Sequence, residues 1–451
     1  MTERSEHPIR QRNTMVVVAL AALPGLVVRF GDYDLPHWFE AMLFGLAVVS
    51  AAFMLAWAAE VIQLDISAGL ALALLALIAV LPEYAVDFVF TRKAGNQFQD
   101  TGTCEAISKA AQESNPCHLA LANMTGANQL LIGLGWSSVV LLAAWRVSRL
   151  RKRDQLDPLH GGLGGDFELE RSHSVEIAFL VLACAWGLTL PLRRTLGLLD
   201  AVIFVSIFVG YVIRIARAPA EEPHLVGPAQ LIGGLPKAKR RLAVVVLFVA
   251  AAVIIVLCAE PFAEALVATG EEVGISDFLL VKWLAPLASE APELLVALMF
   301  AWRLNTNSAL GALVSSKVNQ WTLLVGTLPL VFAISSGGTH GLPLDTTQKL
   351  ELWVTGAQGV FAIAVLASRS ISIREAQMML GLFLVQFALQ GAFQNNEDAD
   401  HRSRLIVGFV YMGLAAFMLF KERRGLRHLM RDGLRTPYAE MTREDTSITV
   451  S

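Results

Sequence analysis

The amino-acid sequence predicts an all-α integral membrane protein with about twelve transmembrane helices. They are expected to form two inverted repeats of five helices, with one further helix at each end. Three observations predict this. Apolar runs recur at the length that crosses a ~30 Å hydrocarbon core, about 20 residues as helix, in a chain of 451 residues that is 55% hydrophobic and 17% charged, with a mean hydropathy of +0.55. Lys and Arg favour alternate loops. A Pro-Glu pair appears twice in the middle of an apolar run, as Pro82-Glu83 and Pro292-Glu293.

The expected spans are 14–30, 38–62, 66–93, 117–146, 173–191, 195–216, 242–266, 276–303, 306–334, 349–368, 371–393 and 402–420. Arg4, Arg10 and Arg12 make the first resemble a signal peptide, but no small-residue cleavage motif follows and Arg29 closes the run, so it reads as a helix. With the N-terminus inside, and residues at span ends counted with the side they adjoin, the inner side carries 25 Lys and Arg and the outer side 8. Arg29, Lys282 and Lys317 lie within spans. The clusters RVSRLRKR (146–153), KAKRR (237–241) and KERRGLRHLMR (421–431) all fall inside, in line with the positive-inside rule. Each abuts a hydrophobic span, which disfavours nucleic acid as the partner. The expected setting is a cell inner membrane, crossed many times, with both termini cytoplasmic, the lipid bilayer as partner and the oligomeric state open.

Of four cysteines, Cys184 and Cys258 sit within spans and read as inert core residues. Cys104 and Cys117 flank the loop 94–116 on the outer side, where a disulfide would persist; bridged and free forms remain equally open. No CxxC or paired Cys/His spacing points to a structural metal. The longest inner loops, 147–172 and 217–241, are too short for a folded regulatory domain. The glycines of 161–165 lack a P-loop lysine and a preceding strand, so they read as linker. The tail after Lys421 is basic and then polar, and is expected to be partly disordered.

Function is carried by the carboxylates. A charge at membrane depth is costly and usually has a task, and a proline beside it releases backbone carbonyls of the preceding turn. Glu83 is followed ten residues later by Lys93, and Glu293 ten residues later by Arg303. Each span is followed by a glycine- or serine-bearing one, LALANMTGANQLLIGLG (119–135) and SALGALVSSKVNQWTLLVG (308–326). The expected division is 1–37 as an N-terminal segment and extra helix, 38–216 and 242–393 as the repeats, 217–241 as a linker, and 394–451 as an extra helix and basic tail. Five helices per repeat, an odd number, force the second to insert upside down. Inverted repeats are the usual plan of secondary transporters, with the site where the halves meet.

At these residues the chain resembles the cation/calcium exchanger superfamily, whose repeats read approximately G-T-S-L-P-E-L and A-L-G-N-V-V-G-S-N. Here the counterparts are IAVLPEY with ALANMTGAN, and ASEAPEL with ALGALVSSK. The resemblance implies a sodium/calcium exchanger-like fold and a cluster of cation sites around Glu83 and Glu293. Asn123, Asn128, Ser289 and the carbonyls near Ala79 and Ser289 are implied as further oxygen ligands, suited to hard cations such as Ca²⁺ and Na⁺. No cofactor beyond the transported cations (Ca²⁺, Na⁺ or H⁺) is implied. Two departures stand out. Ala79-Val80 replaces a Thr-Ser pair, and Lys317 stands where the second repeat's Asn or Asp belongs.

Asp87, four residues beyond Glu83, and Glu290, three before Glu293, share the faces of those glutamates, so either qualifies as an additional carboxylate. An ion pair between Glu290 and Lys317 is the competing expectation. Lys282 is expected to snorkel to the outer interface. Glu60, Glu260 and Glu264 read as interfacial, Gly126, Gly133, Gly135 and Gly311 as helix-packing positions, Glu397-Asp398-Asp400-His401 as a solvated connector and His118 as a cap. Asn319 and Gln320 follow Lys317, and one is expected to face the cavity. The leading function is a secondary active antiporter moving a metal cation against Na⁺ or H⁺ by alternating access. The alternative is a sodium/proton-type exchanger without a calcium step, because Lys317 replaces a ligand. A membrane enzyme is disfavoured because no HExxH, GxSxG or DDxxD-like set lies in the spans, and a channel because inverted repeats and broken helices favour alternating access.

Overall fold

The computed structural model describes residues 8–31, 33–65, 81–104, 115–152, 166–218, 225, 227–274, 276–438 and 440–441. The first half of the expected third span, Ala79 and Val80, the middle of the Cys104 loop, the glycine linker and the last ten residues lie outside them. The helices run α1 Pro8–Ala21, α2 Leu23–Phe30, α3 His37–Ile62, α4 Leu81–Thr101, α5 Ala122–Leu130, α6 Ser137–Lys152, α7 Ser174–Gly187 and α8 Leu198–Ile215. They continue with α9 Lys237–Val273, α10 Asp277–Trp302, α11 Thr306–Asn319, α12 Val325–Ser335, α13 Thr346–Leu366, α14 Ile373–Phe393, α15 Glu397–Lys421 and α16 Arg423–Leu434. Among the described residues ten helical stretches are long and apolar enough to cross a membrane, or eleven with the bent α10. The expected count was about twelve; the remaining span, 66–93, begins outside the described residues.

Several helices start where a side chain stops the backbone donors from being orphaned. Asp345 and Gln348 form a reciprocal capping box at the head of α13, Ser372 and Glu375 do so at α14, and Asn396 caps α15. Two helix pairs are interrupted alike. Leu131–Trp136 between α5 and α6, and Gln320–Leu324 between α11 and α12, are π-helical turns, wide turns that tend to mark functional positions.

Among the described residues two large apolar cores hold the molecule, with a smaller cluster around Trp57, Val61 and Ile232. One joins α3 and α9, the first helices of the expected repeats, with residues of α4 and the first half of α10. The other is built chiefly from α5–α8 and α11–α16. The Pro-Glu helices belong to both. Val86, Val89 and Phe90 of α4 enter the first core and Ala94 the second; Phe278, Val281 and Ala285 of α10 enter the first, Ala297 and Ala301 the second. Along α9, Leu242, Val245, Val246, Val249, Val253 and Val256 remain exposed, an apolar stripe of the kind that faces lipid.

Short strands tie the halves together, which the helical pattern did not reveal. β1 Asp166–Glu168 pairs antiparallel with β4 Ser370–Ser372, and β2 Thr195–Leu196 with β3 Leu342–Pro343. Cys104 and Cys117 are bridged, which settles the open alternative.

Candidate ion-exchange site

The seam between the two cores holds the acidic cluster. Glu83 and Asp87 sit one helical turn apart on α4, both buried. Ser289, Glu290 and Glu293 come from α10, which bends by 56° between Phe278–Ala291 and Glu293–Trp302. That bend falls at Pro292, where a proline removes a helix hydrogen bond. Asn123 and Asn128 come from α5, Lys317 from α11 and Gln320 from the turn that follows. α5 passes α10 very closely: a Cβ on Gly126 would lie 1.7 Å from the Lys282 carbonyl oxygen. Only glycine permits this crossing, so the packing role expected of Gly126 is met.

The charges of Glu293 and Asp87 act on the Glu83 carboxyl, and those of Glu83 and Glu293 on Glu290. Glu293 is half-buried, and α10 packs on α11. Asn123 Nδ2 donates to Asp87 Oδ1 at 3.0 Å, Gln320 donates to Glu290 Oε1, and the Ser289 hydroxyl donates to the Ala285 and Pro286 carbonyls, both at 3.3 Å. Glu83 Oε2, Asp87 Oδ2, Glu290 Oε2, Asn123 Oδ1 and Gln320 Oε1 are buried with no protein partner. Buried oxygens of this kind are normally satisfied, and all five are acceptors, the donor set a hard cation takes. Among the described residues no three His, Cys, Asp or Glu side chains converge to hold a metal ion. A complete shell therefore needs amide, hydroxyl and backbone oxygens, or closer approach of α4 and α10.

The sequence-predicted residues thus gather in one place, with two revisions. Lys317 does not pair with Glu290: its Nζ donates to Asn128 Oδ1 at 2.6 Å and to the Asn128 carbonyl at 3.3 Å. One lone pair of the amide oxygen expected to ligate an ion is thereby used, while Asn128 Nδ2 donates to the Met124 carbonyl at 2.8 Å. Gln320, rather than Asn319, reaches the cluster's carboxylates.

Lys282 departs furthest from expectation. It does not snorkel; it is 0% exposed and donates to Glu351 Oε2 at 2.6 Å and to Gln390 Oε1 at 2.9 Å. Glu351, from α13, also accepts from Arg404 of α15 and from Gln129 at 3.0 Å, and Arg404 pairs with Asp400 at 2.8 Å. Two cations and two carboxylates neutralise one another, so burial is tolerated without reaching the interface. This node floors a cavity of about 450 Å³ on the face expected to be outer, lined in part by His118, Asp345, Gln390, Asp400 and Arg404. Asp400 is accordingly buried rather than part of a solvated connector, and His118 bonds Asp345 at 2.6 Å. Glu351 carried no sequence signal of its own beyond a charge near the start of an expected span. Glu260 and Glu264 pair with Lys93, Glu264 at 2.6 Å; α9 and α4 both run on past the expected span ends, so these residues lie within helices.

Comparison with known proteins places these features. The family profile described as sodium/calcium exchanger protein matches residues 37–216 and 243–391. The crystal structure of the H⁺/Ca²⁺ exchanger CAX is 37% identical, with a TM-score of 0.81 and a match covering 94% of this chain and 98% of that one. Native YfkE is 14% identical with a TM-score of 0.52, covering 83% of this chain and 97% of that one. The selenium-substituted Ca²⁺/H⁺ antiporter protein YfkE, also 14% identical, gives 0.53 and covers 89% and 100%. At that identity both YfkE structures attest the fold alone. No curated protein sequence matches the chain.

Proposed function

Because this chain belongs to the sodium/calcium exchanger protein family, a family of cation antiporters, we propose that it exchanges Ca²⁺ for H⁺ by alternating access. The observation that carries the choice of ions is the 37% identity, along nearly the whole chain, to a protein that is itself an H⁺/Ca²⁺ exchanger. The chemistry of the seam supports it. Glu83, Glu290 and Glu293 are close in a low dielectric, so they are neutralised either by protons or by a cation. A bare, multiply charged cluster is too poorly solvated to reorient. Protons and Ca²⁺ therefore compete for one set of oxygens, and each crossing carries one or the other.

In this reading residues 38–216 and 242–393 are the two exchanging halves, α4 and α10 are the moving seam, and Glu83, Asp87, Asn123, Ser289, Glu290 and Glu293 supply ligands. Both termini lie on the cytoplasmic side of the inner membrane. The test is ⁴⁵Ca²⁺ flux in proteoliposomes with Ca²⁺, Na⁺, K⁺ and H⁺ gradients varied singly. A pH gradient alone is expected to drive Ca²⁺ uptake, and Glu83→Gln to reduce that uptake to the level of empty liposomes. Lys317 favours a second reading, since it holds the Asn128 amide oxygen: proton-coupled Na⁺ flux with no Ca²⁺ movement would establish a sodium/proton-type exchanger instead.

A further inference from the structure

We propose that the paired tryptophans and arginines where α6 and α10 end form a binding site for an anionic phospholipid, its phosphate held by Arg146 and Arg149 and its chains lying along α10. This inference does not depend on which ions are exchanged.

The basic run RVSRLRKR closes α6, and α6 packs on α10. Near their ends Trp145 and Trp302 meet, with ring centroids 5.7 Å apart. The guanidinium of Arg146 stands over Trp302 at 4.4 Å, and that of Arg149 over Trp145 at 4.3 Å. Each guanidinium is thereby held by its face. Its N–H groups lie in the plane of the group, in the fork that matches a phosphate.

A missing acceptor sets these two arginines apart. Arg193 and Arg404 also stand over rings, and each has a carboxylate, Asp200 and Glu351. Arg146 and Arg149 have no carboxylate partner among the described residues, and Arg146 Nε is buried with no hydrogen-bond partner at all. Buried donors are normally satisfied, so an acceptor belongs here. Arg151 and Lys152, exposed in the last turn of α6, add to the positive field that attracts it.

The surface beneath the arginines selects a lipid over a free anion. Leu295, Met299 and Trp302 are all exposed, and their spacing of four and three residues sets them in one apolar stripe along α10 that leads up to the paired indoles. Trp145 is exposed beside them. Tryptophan favours the membrane–water interface, and basic groups on the side that the charge distribution makes cytoplasmic meet anionic headgroups. A choline headgroup would bring its own cation against Arg146 and Arg149. A phosphate held by both arginines ties the end of α10, the helix of Glu290 and Glu293, to the end of α6.

Native mass spectrometry of the purified full-length protein, titrated with phosphatidylglycerol or phosphatidylcholine, tests the site. Wild type is expected to bind phosphatidylglycerol about tenfold more tightly and R146Q/R149Q to lose that preference, the scale of one charge-assisted hydrogen bond. R423Q/R427Q, which removes as much charge from the exposed face of α16, is expected to keep it. Equal loss in both variants overturns the proposal, since any basic surface would then serve. Equal binding of the two lipids by wild type overturns it too. So does displacement of phosphatidylglycerol by inorganic phosphate at equal concentration, which would make this a free-anion site. Should R146Q/R149Q fail to fold, Trp302→Leu decides, because it keeps the apolar stripe and removes the ring that holds Arg146. It is expected to weaken the preference while Trp302→Phe retains it, and an unchanged preference in Trp302→Leu overturns the proposal.

Discussion

Single residues decide how the buried charge is tolerated. Glu351 receives Lys282, Arg404, Gln129 and Gln390 in one carboxylate. Glu351→Gln leaves two cations facing one another, and breaking a buried pair in this way costs about 3–5 kcal/mol. A fall in the melting temperature of purified protein, larger than that caused by Glu264→Gln at the exposed Lys93 pair, is the expected result. Glu83 and Glu293 were legible in the sequence because charge inside an apolar run is rare and each stands beside a proline. Glu351 was not, because an acidic residue near a span end reads as interfacial until the helix opposite is known. Lys282 was misjudged for the same reason: its partners lie 69 and 108 residues away in the chain, and pattern reading has no access to such distances.

At the level of elements, α16 shows how the C-terminal tail is held. It packs on α7 through Leu429 and Gly433, while Arg423, Arg424, Arg427 and Arg431 stay exposed. Asp432 is the clasp. Arg171 donates to it at 2.7 and 3.0 Å and Thr436 Oγ1 at 3.0 Å. Burial alone would raise the Asp432 carboxyl, but the bonds and charge of Arg171 outweigh it and hold the pKa below the usual 3.8. A depressed carboxylate contributes stability above the ordinary pKa, and that contribution is lost as the pH falls through the depressed value. The protection factors of the 423–434 amides, with the intrinsic pH dependence of exchange divided out, are therefore expected to be constant between about pH 5 and 7 and to fall in strong acid. Asp432→Asn should lower them at neutral pH. The helix itself was read from sequence only as a basic tail, since its apolar residues are few and their partner, α7, is some 250 positions upstream, roughly half the chain.

For the whole molecule, hydropathy and charge asymmetry were enough to expect the helical class, the exchanger-like plan and nearly all the spans. The two-core construction was not visible, because hydropathy cannot tell which long apolar helix packs on which. The inside-positive distribution makes a direct prediction. Arg427→Cys should react with a membrane-impermeant maleimide only in inverted vesicles, and Gln394→Cys only in right-side-out ones, with wild type giving the background of its buried cysteines. Labelling of both from one side would show that α15 does not cross the bilayer, and the exchanged pattern would reverse its assigned orientation.

The matched π-helical turns speak to descent. A wide turn is what an α-helix makes of one inserted residue, and the insertion stands at the same place in both halves. Two independent insertions at equivalent points are less economical than one that preceded the doubling of an ancestral five-helix unit. Such a unit had no second half of its own, so it worked as a pair of oppositely oriented copies, with identical residues meeting at their common axis. In such a pair the positions of Asn128 and Lys317 were necessarily the same amino acid. The lysine, or the asparagine, is therefore a change that became possible only once the unit had been duplicated.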